Sequence, residues 1–181
     1  MLSRRGAAVR GFLHSLDPLR TIFAGGTRPD DHDRYSGGWA LCHAFWRGYG
    51  ETLFVELGEL SPSTKVRRDG TAMNPTGQVS VEFHGGWRIE AAQDIRCGSA
   101  SDAHEVALVL AALIGRKIAA LAIVGRPPEV SLTLDDDYYL TSFTAVSGDP
   151  DWSVADRRTV PHRWFDVRSG VVTLGDGGPR E

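Results

Sequence analysis

The stretch Gln78-Val-Ser-Val-Glu-Phe-His-Gly-Gly-Trp-Arg-Ile-Glu90 decides the fold class. Val79, Val81 and Phe83 alternate with Ser80 and Glu82, the two-residue period of a strand with one buried face. Gly85-Gly86 breaks the run, and Trp87-Arg-Ile-Glu90 starts a second short strand. Upstream, Glu51-Thr-Leu-Phe-Val-Glu-Leu-Gly58 places Leu53, Val55 and Leu57 on one face and Thr52, Phe54 and Glu56 on the other. Residues 61–77 lie between these runs, with Pro62, Asp69-Gly70 and Asn74-Pro75, and read as a long hairpin connection. Downstream, residues 118–124 read as a strand and Arg126-Pro-Pro128 turns the chain. Residues 130–134 and 139–143 alternate around Asp135, Asp136, Asp137 and Tyr138, a hairpin of moderate loop length. Residues 152–155 and 164–167 are two further short candidates.

One segment in this succession has helical spacing. Val106, Leu110, Leu113 and Ile114 share a stripe that Leu108 and Val109 widen, which predicts a helix largely buried against a sheet. Asp102-Ala-His-Glu105 precedes it as an acidic variant of the capping box, with Asp102 accepting from the Glu105 amide. Gly115 stands where a left-handed residue ends the helix, with Arg116 and Lys117 beside its negative end. The expected class is therefore α+β, with a mainly antiparallel sheet of about seven or eight short strands, one buried central helix and an N-terminal helix.

The N-terminal helix is read from Val9, Phe12, Leu13, Leu16 and Leu19, and spans about residues 2–16. Arg4, Arg5, Arg10, Arg20 and Arg28 stand there against one acid, Asp17, a bias shared with mitochondrial presequences. A terminal helix packed on the domain explains the same pattern. Residues 25–38 follow as a polar linker, so the expected division is 1–38, a single domain over 39–174, and a Gly- and Pro-rich tail over 175–181.

The chain has 181 residues, of which 41% are hydrophobic and 24% charged, the balance of a globular protein. A net charge of −3 lacks the electrostatic footprint of a nucleic-acid binder. Of the 20 basic residues only Lys65 and Lys117 are lysine, a bias that fits a GC-rich genome and argues against counting arginines as phosphate ligands. Cys42 and Cys97 cannot make a disulfide framework or a four-cysteine zinc site. The longest apolar run, residues 106–114, is too short to span a bilayer. A soluble, cytoplasmic protein with no nucleic-acid or membrane partner is expected.

Catalytic arrangements are sparse. The sequence has no phosphate-binding loop ending in Gly-Lys-Ser/Thr, no dinucleotide glycine fingerprint, no Gly-x-Ser-x-Gly elbow and no His-Glu-x-x-His helix. Asp30-Asp31-His32-Asp33 offers oxygen ligands for magnesium or calcium, but adjacent residues rarely face one centre, and a solvated linker suffices. His43 beside Cys42, or His84 with Cys97, would make a nucleophilic pair only if the fold joined them; small buried thiols are the commoner use. No catalytic residue, metal ligand or cofactor is therefore assigned, and the chain is expected not to be an enzyme.

Binding candidates are clearer. Asp135, Asp136 and Asp137 suit a tight turn, and the same charges suit a basic protein surface. Tyr138 adjoins them. Trp46 and Arg47 belong to an aromatic cluster with Trp39, Phe45 and Tyr49 that is either recognition surface or core. Trp87 and Trp152, each near a strand, are expected in the core.

The order Thr52-Leu-Phe-Val-Glu-Leu-Gly58, the Val79 to Glu90 run, Cys97-Gly-Ser99, Leu113-Ile-Gly115 and Asp151-Trp152 resembles a group of small bacterial α+β domains common in actinobacteria, which carry a Trp-Arg-Ile strand motif. The likeness covers most of residues 50–156. Its members usually show Cys-Pro before Trp-Arg-Ile, where this chain has His84-Gly-Gly86. The resemblance implies a fold more than a function; by analogy it suggests an immunity-like protein that neutralises a toxin-like partner. The expected function is thus non-enzymatic protein binding through Asp135, Asp136, Asp137, Tyr138, Trp46 and Arg47. Two alternatives stand beside it. One is a small-molecule-binding or hydrolytic domain with a site near His84 and Trp87, where glycines permit close backbone approach. The other is a structural or dimerising module built on strand edges.

Overall fold

A computed structural model describes residues 41–48, 50–135, 137–145, 152–168 and 170–176. The chain divides into two units, Met1–Gly37 and Gly38–Glu181, and the first lies outside the described residues, as do the expected N-terminal helix, its polar linker and the Asp30–Asp33 cluster. Eleven strands and one helix follow: β1 (Cys42–Arg47), β2 (Leu53–Leu57), β3 (Val79–Phe83), β4 (Gly86–Ala91), β5 (Asp94–Gly98), α1 (Ala103–Leu113), β6 (Ile118–Val124), β7 (Glu129–Leu134), β8 (Tyr138–Phe143), β9 (Trp152–Asp156), β10 (Arg163–Arg168) and β11 (Val171–Asp176). The antiparallel expectation holds, and the count and layering do not. The described chain is mostly β, in two sheets ordered β1-β2-β3-β9-β10-β11 and β5-β4-β8-β7-β6.

The two-sheet arrangement follows from the stretch that opened the reading. Gly85-Gly86 does more than break a strand: β3 belongs to the six-stranded sheet and β4, starting at Gly86, to the five-stranded one. A Cβ on Gly86 would lie 2.4 Å from the Phe143 ring of β8, so glycine lets the chain turn this close to its new neighbour without displacing that ring. Leu53, Val55, Leu57, Val79, Val81, Phe83, Val154 and Phe165 of the first sheet are fully buried, as are Trp87, Ile89, Val130, Leu132 and Leu140 of the second. Each face has the two-residue period of a sandwich core. Two indoles tie the layers: Trp87 Nε1 donates to Glu51 O at 2.7 Å, and Trp152 Nε1 donates to Pro128 O at 2.7 Å. Both tryptophans are core residues, as expected.

The helix differs from its expectation in width. Only Val106, Leu110 and Leu113 are buried, while Leu108 is 61% and Ile114 54% exposed. It contacts β5 and β1, and joins the two edges of the five-stranded sheet. Eleven residues of helix span roughly 16 Å, and five strands span roughly 19 Å, so the helix closes one end of the sandwich and buries only its inner line. Asp102 caps it by accepting from the His104 amide at 2.8 Å, one residue earlier than the capping box predicts. Gly115 takes φ +85° as expected, and Arg116 Nε returns to Ala112 O at 3.1 Å.

Residues 61–77 form the expected long connection, with bridges Ser61↔Thr76 and Val66↔Ala72. Three strands escape the sequence reading. β1 lies within the aromatic cluster, β5 has no clean alternation, and β11 reaches Asp176, two residues into the expected tail. No helix among the described residues is long and apolar enough to cross a membrane.

Candidate functional site

The face of β2, β3 and β9 that points away from the sandwich core carries an unusual polar row. Strand register sets Glu56 opposite Ser80 and Glu82 opposite Ser153. Alternation that sends Val55, Val79, Val81 and Val154 inward therefore sends these four side chains to one common face. Glu56, Ser80 and Ser153 are nonetheless buried. Glu56 Oε2 accepts from the Gly77 amide at 2.5 Å and from Ser80 Oγ at 2.5 Å. Arg157 Nη1 donates to Ser80 Oγ at 2.5 Å and to Gly77 O at 3.3 Å.

Further along the row, Ser153 Oγ lies 3.1 Å from His84 Nε2 and donates to Glu82 Oε2 at 3.3 Å. Glu82 Oε2 and His84 Nε2 are 3.5 Å apart. Burial pushes Glu82 up to about 7, against the Ser153 hydrogen bond and the Arg157 charge, and the Glu56 carboxylate pushes the same way as burial. Burial likewise raises Glu56, although Ser80, the Gly77 amide and Arg157 oppose it.

Serine, histidine and a carboxylate suggest nucleophilic catalysis, and the geometry does not match it. In a triad the hydroxyl and the carboxylate bond opposite ring nitrogens, so that a proton passes from one side to the other. Here both converge on Nε2, and Ser153 is 1% exposed. The row can hold and exchange a proton near neutral pH; it does not present a hydroxyl to a substrate. Both thiols are buried and held protonated, Cys42 pushed up to about 12 and Cys97 to about 11 by burial first. Among the described residues no group of three His, Cys, Asp or Glu side chains is arranged to hold a metal ion.

The expected partner-binding residues fall on two sheets. Asp135 and Asp137 flank the β7–β8 turn, with Asp136 outside the described residues. Arg116 lies 4.5 Å above the Tyr138 ring, and its Nη1 is 3.7 Å from Asp135 Oδ1 and 3.4 Å from Asp135 O. The Asp135 amide donates to Lys117 O at 3.0 Å, which carries the β6–β7 pairing one step into the turn. Asp137 is exposed at φ +59°, a conformation aspartate tolerates better than most side chains. Trp46 and Arg47 are half-buried at the far end of β1, where Trp46 stacks on Phe54 at 6.0 Å. Sequence reading placed Glu56 on the face opposite Leu53, Val55 and Leu57 and gave it no role. The pairing of Glu56 and Glu82 with serines across the strands is the missed signal, and it needs the register.

Compared with known protein families, curated proteins and solved structures, the chain matches none.

Proposed function

We propose that this chain is a non-enzymatic protein-binding domain with an immunity-like role, neutralising a partner protein through the β7–β8 turn, with Trp46 and Arg47 as a second contact. The observation that carries the reading is the pre-organised turn: Asp135 and Tyr138 are held by Arg116 while Asp137 projects outward. Rigid charge costs little ordering entropy on binding and speeds encounter with a basic surface. The polar row of β2, β3 and β9 supports the same reading, because its reactive groups are satisfied by one another rather than offered to a ligand.

Affinity capture from native extract with the full chain tests it. The Asp135/Asp136/Asp137 triple alanine variant is expected to lose the captured protein while remaining folded, with a modest drop in thermal midpoint from alanine at the positive φ of residue 137. Unchanged capture removes the turn from the interface.

Half-buried His84, rather than the buried Ser153 beside it, motivates a second reading, a small-molecule or hydrolytic site near His84 and Trp87. Turnover of an ester or amide substrate that His84→Ala abolishes would establish it over the first.

A further inference from the structure

We propose that the hairpin over residues 61–76, between β2 and β3, is a rigid docking finger for an acidic segment of a partner protein. The inference rests on the protein-binding reading and adds the partner's chemistry at a second surface. β2 and β3 are antiparallel neighbours that already pair at Leu57↔Val79, so a turn of about two to five residues would join them. Residues 58–78 make the connection instead, and they build a structure of their own. Ser61 bridges Thr76 and Val66 bridges Ala72, the Met73 amide donates to Lys65 O at 3.1 Å, and the Arg67 amide donates to Thr71 O at 2.7 Å. At the tip the Gly70 amide donates to Arg67 O at 2.9 Å, and Gly70 takes φ +82°. Asp69 Oδ1 accepts from the Thr71 amide at 2.9 Å and from Thr71 Oγ1 at 2.6 Å. Arg67 spans the finger, donating to Ala72 O at 2.6 Å and to Asn74 Oδ1 at 3.0 Å.

The surface this hairpin presents is basic and apolar. Within residues 61–76, Lys65, Arg67 and Arg68 stand against Asp69 alone, whose carboxylate is engaged by Thr71. Residues 64–73 are all exposed, Val66 at 67% and Met73 at 44%. Exposed apolar side chains beside cations match an interface with an apolar centre and a charged rim. A hairpin held by these bonds loses little ordering entropy on docking. It rises from the same end of the sandwich as the acidic turn: the Gly58 amide donates to Leu41 O at 3.2 Å, Leu41 bridges Lys117, and Lys117 O accepts from the Asp135 amide. Charge then selects the occupant. The phosphates of a nucleic acid would meet the carboxylates of that turn beside the finger, in a chain of net charge −3. A protein surface can instead set an acidic segment next to the basic one that the turn calls for.

The test uses the full chain, NMR titration and a synthetic peptide of alternating glutamates and leucines. Amide shifts should move over residues 64–73, and Lys65→Glu/Arg68→Glu should weaken binding about tenfold at an unchanged thermal midpoint. Asp69 separates a pre-organised finger from loose charge. Asp69→Ala removes a negative charge together with the tether on Thr71, and should weaken binding about threefold. Asp69→Asn, which keeps an acceptor for Thr71, should not weaken it. Tighter binding by Asp69→Ala, no shift over residues 64–73 at millimolar peptide, or equal shifts with a thymidylate octamer would overturn the proposal. So would a dimer in light scattering that the double variant abolishes, which gives the finger to a second copy. Capture that depends on Asp135, Asp136 and Asp137 but survives Lys65→Glu/Arg68→Glu would overturn the finger alone and leave the binding function standing. Capture lost in the double variant and unchanged in the triple alanine variant would keep the finger and remove the turn.

Discussion

Glu82 concentrates the chemistry of the polar row in one side chain. Its folded proton affinity exceeds that of the unfolded chain, so between pH 4.5 and about 7 the unfolded state releases a proton that the folded state keeps. Stability falls as pH rises through that window and levels off above it. Glu82→Gln keeps a neutral side chain at every pH and removes that slope. Denaturant titrations should find the variant gaining on the parent from pH 5 to 8, by about 2 kcal/mol at the upper end. A parallel pair of stability curves would show that Glu82 ionises in the fold as easily as outside it. At this scale the sequence was a poor guide. Asp137 and Gly115 announce their left-handed backbones by residue type. A glutamate in a strand announces only that it faces away from its valine neighbours.

Among the elements, β2 and β3 show how little freedom the polar row has. Gly77 leads into β3, and a Cβ there would lie 2.6 Å from Leu57 O and 2.8 Å from Leu57 N, both backbone atoms with nowhere to go. Gly77→Ala should cost about 2–3 kcal/mol by strain and by displacing the amide from Glu56. Its mark should be a lower urea midpoint with faster amide exchange in β2 and β3; a midpoint unchanged within error would mean the connection relaxes freely. The strands themselves were legible, because strict alternation of apolar residues in 53–57, 79–83 and 130–134 has one physical cause, a single apolar face turned to the core. β1 and β5 were not. Half-buried edge strands pack neither face completely and so have no period to read. The helix stripe read too wide for a related reason: apolar residues on α1 and β6 remain exposed at one end of the sandwich, and local spacing cannot tell an outward leucine from an inward one.

At the scale of the described molecule, the sheets are joined by side chains as much as by chain crossings. Trp152 stands in the six-stranded sheet and bonds the carbonyl that precedes β7 in the other. Trp152→Phe keeps the ring and leaves buried Pro128 O without its donor, at a cost of about 1–3 kcal/mol. Amide exchange should quicken in β7 and β9 together, since the bond belongs to both layers. Loosening confined to β9 would make the indole a local packing residue only.

Residue order alone determined the antiparallel strands, the helix with its glycine stop, and the two buried tryptophans, since each depends on neighbours a few positions apart. Which sheet a strand joins, that Glu56 and Glu82 meet serines from distant segments, and that β6 ends its sheet were decided only when the chain crossed between layers. Those facts rest on pairings between residues as far apart as Glu82 and Ser153, and the local period that marks a strand is the same whichever strand lies beside it.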